Sequence, residues 1–361
     1  MPSLATKSRL LYWSLNLAGL LCAVVFILVR VRGGSLLVIN KAEYFNARDL
    51  YKHSFVDRFR EDHPAFNRVT NKITAYMDRP ENPPFAQAPV AIVGTSFSDF
   101  RFVRSFPEVL GDRLGQPVHF TRHLNPFHVL TRTNYQAGPP KVLIYEMAEK
   151  GVYRRFAAPP HLEKYRREKP KPRWEVLNTG EAEKRYTALL QMSVPTHRLY
   201  RWIATWKFDH LGYISSLTPV YSTNPPVLFF QSEVDDSPAS FHYRHREQEI
   251  AHVCDQVAVM RDQLKTRYNL DLVFLPIPNK ISLYSELVFP GEPYNQFLPR
   301  VYDGLRARGV EFVDLYHPFQ ASTNFLFFPS DTHWNEQGIA LAAELTAAHL
   351  AARRPPAEAA P

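Results

Sequence analysis

The chain has 361 residues, 45% of them hydrophobic and 22% charged, with a net charge of +8. That composition builds a large core and excludes a disordered or low-complexity protein. Two cysteines, Cys22 and Cys254, exclude a disulfide scaffold, and no zinc-finger spacing or RNA-binding aromatic signature accompanies the positive charge, so nucleic acid is not an expected partner.

Residues 1–9 are polar and basic and precede an apolar stretch. Leu10 to Val29 runs 20 residues without a charge, enough for a helix of roughly 30 Å, the hydrocarbon thickness of a bilayer. The stretch is too long for the core of a cleaved signal peptide, and it ends at Arg30 and Arg32 with no small-x-small site. We therefore expect an uncleaved transmembrane anchor over 10–32. Lys7 and Arg9 nearly balance Arg30 and Arg32, so charge bias alone does not orient it. The expected arrangement puts residues 1–9 in the cytoplasm and the bulk of the chain outside.

Residues 33–88 read as a helical linker packed on the main domain, with helical spacing over 46–78 (Leu50, Phe55, Phe59, Phe66, Ile73, Met77). The main domain spans 89–352. Its expected elements are a strand at 89–93, a helix at 100–114 ending at Gly115, and strands at 118–120 and 142–145. Residues 151–235 interrupt the rhythm as a Pro-, Tyr- and Arg/Lys-rich insertion with one helical stretch around 181–207. Basic side chains crowd 154–173, which suits an acidic polymer or an anionic lipid surface as well as a plain solvated face. The rhythm resumes with a helix at 244–267, a strand at 272–275, a helix at 295–308, a strand at 311–315 and a helix at 335–352. The tail 353–361 should fray. Alternating strands and helices predict an α/β fold of three layers around a mainly parallel sheet.

Two short motifs carry chemistry. Gly94-Thr95-Ser96 follows the apolar strand Val90-Ala91-Ile92-Val93, and a serine on a tight turn after such a strand exposes its oxygen at the carboxyl edge of a sheet. Asp331-Thr332-His333-Trp334 places a carboxylate and an imidazole just before the last helix. A serine hydroxyl needs a base to take its proton, and the base needs an orienting group. Ser96, His333 and Asp331 fill those roles, and in a doubly wound sheet both loops emerge at the same edge. Each motif alone is commonplace, a turn or a helix cap. Ser98 is the alternative nucleophile. Asn125 and Asn279 are candidates for oxyanion or substrate contact, although a turn or capping role competes at Asn279-Lys280. Glu146 and Glu149 read as acceptors that hold loops. Asp331 and His333 lack a clear third ligand in His119 or His123, so neither metal nor cofactor is expected.

Gly94-Thr95-Ser96-Phe97-Ser98, Tyr145-Glu146-Met147-Ala148-Glu149-Lys150, Pro276-Ile277-Pro278-Asn279-Lys280 and Asp331-Thr332-His333-Trp334 together resemble the SGNH-hydrolase-like alginate O-acetyltransferase group, itself similar to GDSL esterases. The resemblance covers about 89–350 and leaves 151–235 unmatched. It implies Ser96 as nucleophile, His333 as base and Asp331 as its orienter. It also implies a periplasmic catalytic domain at the bacterial inner membrane and acetylation of an exopolysaccharide, with a multispanning membrane O-acyltransferase delivering the acetyl group. The chain departs from the group in placing serine before Asp-x-His and in reading Leu124-Asn125-Pro126-Phe127 where a glycine commonly serves the oxyanion hole. It also has Lys150 where arginine is more usual. Expected functions are thus an O-acetyltransferase, an esterase with the same triad, or a non-catalytic scaffold of a polysaccharide-acetylating complex.

Overall fold

A computed structural model describes residues 56–60, 76–99, 103–135, 138–157, 194–215 and 218–353. The expected anchor at 10–32, most of the linker, most of the basic stretch and tail residues 354–361 lie outside them. Among the described residues no helix is long and apolar enough to cross a membrane. The chain divides into two compact units, Met1–Asn46 with Pro170–Ile203, and Ala47–Lys169 with Ala204–Pro361. Of the first unit only the start of one helix, Val194–Leu211, is described. All other elements below belong to the second.

Four strands form a parallel sheet: β1 (Val90–Gly94), β2 (Val118–Arg122), β3 (Val142–Ala148) and β6 (Asp271–Ile277), in the order β2-β1-β3-β6. β1, β3 and β6 are nearly unbroken apolar runs, the signature of a strand buried on both faces, whereas the edge strand β2 alternates polar and apolar residues and ends partly exposed at Thr121 and Arg122. Ala91, Val93, Leu143, Tyr145, Leu272 and Phe274 feed one core, and Val90, Ile92, Ile144, Val273 and Leu275 feed the other. Helices cover both faces. The first core packs against α3 (Glu149–Phe156), α6 (Glu247–Tyr268) and α8 (Phe297–Ala307). The second packs against α1 (Phe106–Leu114) and α10 (Glu336–Ala352). This is the expected three-layer α/β arrangement.

The order of the strands matters for the site. From β1 the chain steps to β2 on one side, then crosses to β3 on the other. Such a reversal leaves a crevice at the carboxyl end of the central strand, where residues 95–98 lie.

Several elements depart from the sequence reading. α1 begins at Phe106 rather than 100, because Ser105 and Glu108 form a capping box there, and it ends at Gly115 with φ of 63°. Residues 311–315 form no strand. Phe274 N–H donates to Glu311 O and Val313 N–H to Phe274 O, after which the chain turns into α9 (Tyr316–Ala321). The described parts of the linker hold short 3-10 turns, Asp57–Phe59, Tyr76–Asp78 and Phe85–Gln87, that bury one aromatic each. The segment read as an insertion contributes to the core at both ends. α3 continues the strand–helix rhythm, and the hairpin of β4 (Val220–Thr223) and β5 (Pro226–Phe229) buries Val227, Leu228 and Phe229 completely. The helical stretch near 181–207 is described only as Val194–Leu211, which we number α4. Short helices α2 (Pro126–Arg132), α5 (Gln231–Val234) and α7 (Lys280–Tyr284) complete the set.

Candidate active site

Ser96 follows β1 on a turn and is partly exposed. His333 and Asp331 sit on the loop before α10. Ser96 Oγ lies 2.8 Å from His333 Nε2, and His333 Nδ1 lies 2.6 Å from Asp331 Oδ1. The same carboxylate oxygen accepts the His333 N–H at 3.0 Å. Asp331 is 1% exposed, so its attraction to the ring is little screened. Hydroxyl, imidazole and carboxylate thus stand in the geometric relation that activates a serine.

The two loops are held to each other as well as to the reacting groups. Phe97 packs against His333 with ring centroids 4.9 Å apart and edge-on against Trp334 at 5.6 Å. Trp334 Nε1–H donates to Phe97 O at 3.0 Å. Asn335 starts α10, its Oδ1 accepting the N–H groups of Gln337 and Gly338. That cap fixes the last residues of the motif against the helix.

Lys280 braces the same loop from beneath. It is 1% exposed. Its Nζ donates to Phe328 O at 3.2 Å, Pro329 O at 3.0 Å and Asp331 O at 2.8 Å. A buried ammonium must saturate its three donors, and this one does so on the segment carrying Asp331. Its signal in the sequence is a lysine three residues after a buried strand.

Glu149 closes a second network beside it. Its Oε2 accepts Asn279 N–H at 2.9 Å and the Ser282 hydroxyl at 2.7 Å, and its Oε1 accepts the Tyr294 hydroxyl at 2.5 Å. Burial pushes its pKa up to about 7 despite these donors. Lys150 pairs instead with Glu233, at 2.9 Å.

The remaining sequence candidates divide. Ser98 is fully buried, its hydroxyl near Glu146 but outside hydrogen-bond geometry, which removes it as a nucleophile or substrate contact. Asn279 is 3% exposed and committed to structure: its N–H goes to Glu149 and its Oδ1 accepts Lys150 N–H at 3.4 Å. It is therefore a turn residue rather than a substrate contact. Asn125 heads α2 on the loop after β2, next to β1. Its Oδ1 accepts Phe127 N–H and its own N–H donates to His123 Nδ1, which leaves the carboxamide NH2 as its available donor. Ser96 N–H meets no protein acceptor among the described residues. No group of three metal-ligating side chains occurs among those residues.

The family model for the SGNH hydrolase-like domain of acetyltransferase AlgX matches residues 228–361. That span includes Lys280, Asp331 and His333 but not Ser96. No curated protein matches the chain. One solved crystal structure aligns over 76% of this chain and 100% of its own length, at 11% identity and a TM-score of 0.35, a likeness too slight to carry an argument. From residue 228 to its carboxyl end the chain is similar to the SGNH hydrolase-like acetyltransferases of the AlgX kind, the group its motifs resemble.

Proposed function

We propose that the chain is a membrane-anchored O-acetyltransferase that carries an acetyl group on Ser96 and passes it to a hydroxyl of an extracytoplasmic polysaccharide. The observation that carries the reading is the line from Ser96 Oγ through His333 to Asp331, with contacts of 2.8 and 2.6 Å. The similarity of residues 228–361 to an acetyltransferase domain supports acetyl chemistry in general. The uncharged run Leu10–Val29 supports the anchor, and the motif resemblance to the alginate O-acetyltransferase group supports placement at a bacterial inner membrane.

In this scheme Ser96 Oγ attacks the donor carbonyl while His333 Nε2 takes its proton, and the Asp331 carboxylate stabilises the imidazolium. The tetrahedral oxyanion would be met by Ser96 N–H, with the Asn125 carboxamide as second donor. The donor departs with the proton from His333, leaving an acetyl ester on Ser96. A sugar hydroxyl then loses its proton to His333 and attacks that ester, and the bond to Ser96 Oγ breaks as His333 returns the proton to the serine. A multispanning acyltransferase is the proposed acetyl source.

The test uses the full-length chain in detergent, an activated acetyl ester and an oligosaccharide acceptor. Mass spectrometry should find acetyl on the Ser96 peptide and then on the sugar, and Ser96→Ala should abolish both. Release of acetate alone would mark an esterase. Undiminished polymer acetylation by folded Ser96→Ala in cells would leave a scaffold role and end the catalytic reading.

A further inference from the structure

Glu146 is fully buried at the carboxyl end of β3 and has no part in the scheme above. It is nevertheless built into the turn that carries Ser96. Its Oε2 accepts Thr95 N–H at 2.9 Å and its Oε1 accepts the Thr95 hydroxyl at 2.6 Å. The Thr95 hydroxyl oxygen in turn accepts Phe97 N–H at 3.4 Å. The carboxylate therefore reaches the residue before Ser96 directly and the residue after it through one hydroxyl. Ser98 also lies beside it.

A second observation concerns the room made for it. A Cβ at position 94 would lie 2.8 Å from Glu146 Cβ and 2.9 Å from Cδ, closer than packed carbons tolerate. Gly94 thus lets the carboxylate come up against the backbone of the turn. Burying a carboxylate is costly, and burial indeed raises its pKa. A glycine and a threonine are both fitted to it, which is more than packing a strand end requires.

We propose that Glu146 is a positioning residue. By holding Thr95 from below, it fixes the Ser96 turn so that Oγ stays within hydrogen-bond reach of His333 and Ser96 N–H is presented to the reaction. The inference rests on Ser96 being the nucleophile. It adds that the serine's reactivity is set by a carboxylate that touches neither substrate nor imidazole.

Steady-state hydrolysis of an activated acetyl ester, and labelling by a serine-directed fluorophosphonate, test it on the full-length chain. A misplacement of about 1 Å costs on the order of a hundredfold, so Glu146→Ala should lose about that much in kcat with KM close to the parent. Fluorophosphonate labelling should slow in proportion. Thr95→Val, which keeps the backbone bond but removes the hydroxyl, should lose about tenfold, and Thr95→Ser should restore it. A merely structural role would move Tm without this split between kcat and KM. Parent-like kcat and labelling in folded Glu146→Ala overturn the inference. Should that variant fail to fold, equal kcat in Thr95→Val and Thr95→Ser does so alone. Inactive Ser96→Ala beside fully active Glu146 and Thr95 variants sinks only this inference, whereas active Ser96→Ala sinks the proposed function as well.

Discussion

Replacing Glu149 with glutamine should change how stability responds to pH. In the folded chain burial holds this carboxyl's pKa near 7, against an ordinary value of 4.5. Between those two pH values the folded chain keeps a proton that the unfolded chain has already released. Raising the pH across that window therefore favours unfolding. Stability falls by about 1.4 kcal/mol per pH unit, or about 3 kcal/mol over the whole window, and is flat on either side of it. His245 works the other way. Burial among Tyr153, Tyr243 and Phe297 lowers its pKa to about 4, so the folded chain binds fewer protons there and stability rises with pH up to about 6.5. In the parent the two slopes largely cancel, and a single stability curve would hide both. The difference between Glu149→Gln and parent removes the His245 contribution. It also separates out any constant effect of the new amide facing Tyr294. Urea unfolding at about pH 4.5 and about pH 7.5 should show this difference shifting in the variant's favour by about 3 kcal/mol. A difference constant to within about 1 kcal/mol would refute the assignment.

Asp331→Asn should leave the fold intact but lower kcat on an activated acetyl ester by about 10³–10⁴-fold, since the ring loses its orienting charge; a loss below about tenfold would remove Asp331 from the triad. Lys280→Met should remove three hydrogen bonds to carbonyls, of which Phe328 O and Pro329 O keep the N–H groups of Asp331 and Leu228, and should cost roughly 2–3 kcal/mol in urea unfolding. Lys280→Arg should rescue it poorly, because a planar fork does not meet three carbonyls as a compact ammonium does. Equal stability of Lys280→Met and the parent would show that the brace contributes nothing.

The strands were legible because a parallel sheet buries both faces and writes itself as unbroken apolar runs, as at Val90–Val93 and Leu272–Leu275. The meeting of Ser96 and His333 was legible for a topological reason: both loops leave the same edge of the sheet. Less could be read where one side chain serves a distant backbone. Asn279 at a strand end reads as a turn or capping residue or a substrate contact, and the partner that settles it as a turn residue, Glu149, is 130 residues away. Ser98 shares a turn with Ser96 yet points into the protein, and turn geometry decides which of two nearby serines faces out. Composition misplaced the borders of the insertion. Its prolines and basic residues drew attention from β5, whose Val227-Leu228-Phe229 is too short a run to announce a strand.

The serine turn and the Asp-His loop stand 237 residues apart in the chain and are joined by Phe97 and Trp334. A ribosome releases the hydroxyl 237 residues before the imidazole. A polypeptide that stops short of Asp331 would thus hold the hydroxyl without the imidazole that lies beside it. Under the proposed scheme, activation of the serine therefore waits until the later loop has joined the earlier one.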